Sequence, residues 1–205
     1  MPHMNKLLIL LVLLCSFPAM AIEEPSFERV KQVGEFELRR YAPYVVAEVQ
    51  VNGNFNNAGN QGFRLLANYI FGGNQGERKL AMTAPVTQQA EPVKLAMTAP
   101  VTQSALADGS FRVQFVLPSD VTMDTAPKPN NPKVQLRLEP ARLVAVQRYS
   151  GMWTQANYDE QLALLRAAAA REGLKLEGEP VLARFNGPFT LPFMRRNEIW
   201  LRVAE

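Results

Sequence analysis

Apolar and polar residues alternate along two stretches early in the chain, Phe36 to Tyr41 and Tyr44 to Val51, interrupted only by Ala42-Pro43. A period of two with β-branched residues predicts two strands, each with one buried face. Asn52 to Asn60, rich in Gly and Asn, reads as a loop. From Gln61 to Phe71 the period changes. Phe63, Leu66, Ala67 and Ile70 stand at i, i+3, i+4 and i+7, which predicts a helix that buries this stripe and stops at Gly72-Gly73.

Beyond the helix a decapeptide occurs twice, at Lys79 to Gln88 and again at Lys94 to Gln103. Leu80, Met82, Ala84 and Val86 alternate in the first copy, and Leu95, Met97, Ala99 and Val101 in the second, so both are expected to be strands. Pro85 and Pro100 lack a ladder donor, and each strand should stop, bulge or lie at an edge there. Two origins are open: a tandem slip in which one copy suffices for the fold, or a hairpin closed by Gln89 to Val93. A further strand is predicted at Phe111 to Leu117, followed by a long proline-rich loop from Pro118 to Pro132.

The pattern then starts again. Strands are predicted at Val134 to Leu138 and Leu143 to Tyr149, then a helix opened by Asn157 and Glu160 that runs to Glu172 and ends at Gly173. Strands at Pro180 to Phe185 and Glu198 to Val203 close the chain. Strands, helix and strands, repeated once, predict an α+β domain of two similar halves sharing one curved sheet.

Composition changes the picture chiefly by what it removes. Lys6, the apolar run Leu7 to Leu14 and the triplet Ala19-Met20-Ala21 read as an export signal over residues 1–21, leaving residues 22–205 as one domain in the periplasm, with no permanent membrane anchor. The chain's one histidine, His3, and one cysteine, Cys15, both lie in that signal. A processed chain would have no Ser-His-Asp or Cys-His set, no thiolate or imidazole for zinc, and no disulfide. The net charge is only +3 and the basic residues are scattered, so no nucleic-acid partner is expected.

Three strings carry a resemblance: Tyr69-Ile70-Phe71-Gly72-Gly73-Asn74 at the end of the first helix, Met82-Thr83-Ala84-Pro85-Val86 after it, and Pro192-Phe193-Met194-Arg195-Arg196-Asn197-Glu198-Ile199-Trp200 near the C-terminus. Together they resemble the SOUL family of haem-binding proteins, from about Phe27 to Val203. The resemblance implies a distorted eight-stranded β-barrel flanked by two helices with an internal pseudo-twofold. It also implies non-covalent binding of haem or another tetrapyrrole in an apolar cleft between the first helix and the loop before the last strand. The cofactor-binding residues it marks here are Arg64, Leu65, Asn68, Tyr69, Met82, Phe189, Thr190, Phe193, Met194 and Arg195. Thr190 stands where related animal proteins carry a lysine suited to a ring carboxylate, so charge pairing falls to Arg64, Arg195 or Arg184. With no histidine or cysteine after Ala21, an axial iron ligand would be Met, Tyr or water.

Each of these residues also has a structural use. Leu65 and Tyr69 would cover a neighbouring loop, Met82 and Met97 would fill the core, and Arg195 to Glu198 would form a turn held by ion pairs. The expected function is a monomeric, non-catalytic carrier. The alternative is an effector-binding module or a hydrolase-like enzyme on the same fold, with Glu198, Glu48 or Tyr69 as the acid/base group.

Overall fold

The computed structural model describes residues 22–34, 36–76 and 92–205. The expected export signal and the first decapeptide copy, with Met82, lie outside the described residues. In chain order the elements are β1 (Phe27–Val33), β2 (Phe36–Tyr41), β3 (Tyr44–Val51), α1 (Phe55–Ile70), β4 (Asn74–Gln75), β5 (Val101–Ala105), β6 (Phe111–Val116), β7 (Lys128–Pro129), β8 (Gln135–Glu139), β9 (Arg142–Tyr149), α2 (Gln155–Arg171), β10 (Leu176–Arg184) and β11 (Asn197–Val203). A 3-10 turn at Pro192–Met194 precedes β11.

Nine strands form one antiparallel sheet in the order β1-β2-β9-β11-β10-β5-β6-β3-β8, and β4 pairs with β7 apart from it. The closed barrel is therefore corrected to an open, α+β sheet: β1 and β8 end it with no ladder between them. β1 is exposed along most of its length, and on β8 Leu138 stands in solvent while Leu136 packs on the core under the first helix. Outward from the central β5–β10 pair the two flanks have like order, β5, β6, β3, β8 and β10, β11, β9, β2, with α1 following β3 and α2 following β9.

Alternation fixes the layers. Val45, Ala47, Val49 and Val51 of β3 pack with Val113 and Phe115 of β6 under α1. Ile199, Leu201 and Val203 of β11 pack with Tyr158, Leu162 and Leu165 of α2. The helices meet at Phe55 and Tyr158, whose rings lie 4.9 Å apart. The opposite face of the sheet holds Tyr41, Val144, Val146, Ala183 and Trp200, together with a polar network.

The first helix begins six residues before the expected Gln61, capped by the Asn54 side chain, which accepts from the Asn57 N–H at 3.0 Å. Its buried stripe is also rotated from the expected one. Gly59 and Gly62 face the sheet so closely that a Cβ on Gly62 would stand 2.5 Å from Val113 Cβ. Tyr69 consequently turns into the core, and Phe63, expected inside, faces outward. The second helix likewise starts early. Thr154 caps it, accepting from the Asn157 N–H at 3.3 Å, while the Asn157 amide reaches back to Met152 O at 3.1 Å. Gly173, at φ +67°, ends it, and the Leu174 N–H bonds Ala169 O at 3.0 Å.

The second decapeptide copy is not a strand along its length. Residues 92–97 have no regular structure, and β5 starts at Val101, after Pro100 rather than before it. Without an N–H, Pro100 cannot take a ladder position, so pairing with β6 and β10 begins at the next residue.

On the face away from the helices, Glu139 is buried with ion pairs to Arg137 and Arg142 and a 2.9 Å hydrogen bond from Gln114 Nε2. Burial opposes its charge, but the two guanidinium groups and the Gln114 bond outweigh it and hold the carboxyl below its ordinary 4.5. Because the folded value lies below the unfolded one, this contribution to stability is present above pH 4.5 and lost as pH falls through the folded value. The melting temperature should fall on acidification in that window. Glu139→Gln should melt lower at pH 7 and lose part of that acid dependence.

Candidate functional site

An apolar cleft of about 310 Å³ opens between α1 and the segment that follows β10. Gly59, Asn60 and Phe63 form its helix wall, Arg184 to Pro188 the opposite wall, and Met97 to Ala99 its floor, with Trp153 and Ile22 at the margins. The rotation of α1 that turns Phe63 outward places its ring here, 5.2 Å from the Phe115 ring beneath it.

Arg184 is the polar feature of this cleft. Its guanidinium lies 5.2 Å from the Trp153 ring centroid, and Nη2 donates to Gln103 Oε1 at 3.2 Å. Its Nε is buried without a hydrogen-bond partner, and no carboxylate among the described residues pairs with it. Burial lowers its pKa and the nearby Arg195 adds to this, while Tyr149 opposes them; an arginine nonetheless stays cationic. Gly59 makes the space for it, since a Cβ there would lie 2.5 Å from Arg184 Nη1. A half-buried cation with a buried orphan donor beside apolar walls is arranged to accept an anionic group attached to an apolar body.

Of the residues marked from the sequence, the structure brings few to this cleft. Arg64 is exposed, its Nε 3.4 Å from the carbonyl of Asn60, a cleft residue, so it stands near the rim. Leu65 is half-buried against the α1 core and lines a separate polar groove with Glu48, Gln61 and Arg112. Asn68 is exposed one turn further on. Tyr69 is in the core, its hydroxyl donates to Pro127 O at 2.9 Å, and burial pushes its pKa up to about 12.

Phe189, Phe193 and Met194 point outward beyond the cleft wall, and Thr190 is half-buried. Arg195 braces their loop from inside, Nε to Thr190 O at 2.8 Å and Nη2 to Pro188 O at 3.0 Å, with its guanidinium 4.1 Å from the Trp153 centroid. Met82 lies outside the described residues, but its counterpart in the second copy, Met97, lines the cleft. Sequence reasoning missed Phe63 and Trp153 as cleft residues. The signal that could have found Phe63 was the i, i+3 glycine pair Gly59 and Gly62, which marks the face of closest approach.

Glu198 is not free for acid/base chemistry. It is fully buried and accepts from Arg39 Nη1 at 2.9 Å, Arg196 Nε at 3.0 Å and the Trp200 indole N–H at 2.8 Å. Among the described residues no group of three His, Cys, Asp or Glu side chains is placed to hold a metal ion, and no helix is long and apolar enough to cross a membrane.

The chain has likenesses of two kinds. Heme-binding protein 2 of Homo sapiens is 31% identical over 190 residues, covering 89% of this chain and 87% of that protein; Heme-binding protein 2 of Mus musculus is 29% identical over 188 residues, covering 88% and 86%. Among solved structures, the C-terminal domain of EcmrR has a TM-score of 0.59 at 12% identity, covering 83% of this chain and 97% of that one. A hydrolase from Listeria innocua has a TM-score of 0.55 at 10% identity, covering 85% and 94%. At such identities these two likenesses show the fold alone. The family model described as SOUL heme-binding protein matches residues 22–202, and the chain belongs to that family.

Proposed function

We propose that this chain is an exported, non-catalytic binder of haem or another tetrapyrrole, held non-covalently in the α1 cleft without histidine or cysteine ligation. The observation that carries the reading is Arg184, a half-buried cation with a buried, orphan Nε–H and no carboxylate partner among the described residues, set beside the apolar walls of a single cleft. A tetrapyrrole is a flat apolar plate with carboxylates at one edge, and these residues fit both parts. Phe63, Met97, Phe185 and Pro188 would contact the plate, and Arg184 would take one carboxylate, with Arg64 at the rim for a second. Bound haem would supply an iron centre, and the Met97 thioether is the soft donor among the residues lining the cleft. The chain's own residues supply apolar contact, an anion partner and exclusion of water.

Processing after Ala21 would leave Ile22, a cleft residue, as the first residue and add its α-ammonium group near Arg184. A carboxylate-based hydrolase is the weaker reading, because the Glu198 carboxylate is occupied by two guanidinium groups and an indole N–H, and Tyr69 is spent on Pro127.

The test is a haemin titration of the chain from Ile22, followed by the Soret band, with iron-free protoporphyrin in parallel. Saturable one-to-one binding of both is the expected result and means recognition by stacking and charge. Binding of haemin alone would put Met97 or a tyrosine on the iron. Binding of neither would overturn the proposal and leave an effector-binding pocket as the better reading.

A further inference from the structure

The residues just beyond the cleft wall form an apolar protrusion that the ring-binding reading does not use. Phe189 is 99% exposed, Phe193 74% and Met194 63%, and Leu191 on the same loop and Met152 on the neighbouring one are each more than half exposed. The two loops are tied together, since the Gly151 N–H donates to Pro192 O at 2.9 Å. They are also held rigid. Arg195 bonds two carbonyls of its own loop, the Arg196 N–H bonds Asn186 Oδ1 at 2.6 Å, and Pro192–Met194 form a 3-10 turn. The large apolar side chains are thus presented to solvent by a braced backbone at one end of the sheet, where β9 and β10 leave and β11 enters. A ridge of this shape cannot enclose a small ligand, and exposure of so much apolar surface marks an interaction site.

The surrounding charge selects the partner. Residues 140–158 and 180–197 contain no Asp or Glu. Among the arginines of these segments Arg196 pairs with Glu24 and Glu198, while Arg148 and Arg195 have no carboxylate partner among the described ion pairs. Bulky apolar tips on segments whose own charges are all arginines match the interface of a bilayer carrying anionic headgroups, where apolar groups sit among the acyl chains and arginines meet phosphates. We propose that the Met152 and Phe189–Met194 loops dock this protein peripherally on an anionic lipid surface. Because Pro188 belongs to the cleft wall and Phe189 to the tip, docking turns the cleft mouth toward the bilayer, where an apolar ligand would partition. Docking itself does not rest on the identity of that ligand.

Co-sedimentation of the chain from Ile22, which carries every described element, with vesicles of phosphatidylcholine alone or with phosphatidylglycerol tests this. Starting at Ile22 removes the apolar run Leu7 to Leu14 as a source of binding. Binding is expected to strengthen with phosphatidylglycerol content and to weaken with salt. Phe189→Ser with Phe193→Ser should lower vesicle affinity about tenfold or more. Phe71→Ser, at a residue 57% exposed at the C-terminal end of α1, should leave it unchanged. Circular dichroism melting of the double variant, whose changes are both in solvent, should match the parent. Failure of the parent to bind vesicles, or equal losses in Phe71→Ser, would overturn the proposal. So would a parent that dimerises through these loops in sedimentation velocity and binds no vesicles. Haemin binding retained in the double variant separates this test from that of the cleft.

Discussion

Glu198→Ala should destabilise the protein by about 3 kcal/mol, measured as a lower urea midpoint at unchanged slope. The carboxylate and Arg39 are both buried, so truncating the carboxylate removes the fully buried partner of the Arg39 charge inside the sheet. The estimate sits at the lower end of the range for broken buried pairs because each guanidinium keeps a second partner. Arg39 Nε remains 2.7 Å from Glu37 and Arg196 Nη1 2.6 Å from Glu24. The Trp200 indole N–H would have to find another acceptor or remain unpaired, while the Tyr41 hydroxyl keeps its bond from Arg39. Arg40 and Glu205 provide the contrast, because both are half-exposed and Glu205→Ala should move the midpoint little. Glu198→Gln, which keeps the shape but removes the charge facing Arg39 and Arg196, should also lower the midpoint.

Phe63→Asp should lower tetrapyrrole affinity about a hundredfold or more in the Soret titration, through two effects that add. It removes an aromatic wall, worth roughly 1.5–3 kcal/mol of apolar burial, and it places a carboxylate in the cleft that holds Arg184, displacing the ligand's own anion from a charge-assisted bond worth about as much. At about 1.4 kcal/mol per tenfold the two together pass a hundredfold. Phe63 is partly exposed on the helix surface, so folding should survive, and Phe63→Leu should recover most of the affinity. Tyr69→Phe is the matching control. Its hydroxyl faces Pro127 on the far side of α1, and binding should be unchanged.

Where the sequence was legible, one face of an element was buried and the other was not. β2 and β3 run from Phe36 to Tyr41 and from Tyr44 to Val51, as their alternation predicts, because each residue's neighbours two positions away share its environment. β1 escaped notice for the converse reason. Five of its seven residues are exposed, so Phe27 to Val33 carries no alternation to read, and only its ladder to β2 makes it a strand. The phase of α1 was misread because glycine carries no hydropathy signal. Gly59 and Gly62 are the positions nearest the sheet, yet a pattern that counts apolar side chains gives the face to Phe63 instead.

The candidate site shows the same division. Alternation, helix stripes, the doubled decapeptide and the family strings are properties of order along the chain, and they determined an α+β protein of two like halves and its SOUL family membership. The cleft depends on distances between segments far apart in sequence: Gly59 under Arg184, Phe63 opposite Phe185, Met97 on the floor, and Trp153 between two arginines. Which strand edges stay open, which face of a helix turns outward and which half-buried cation lacks an anion are each set by packing across the sheet. That packing sums contacts from several elements at once, and it was decided by the tertiary structure alone.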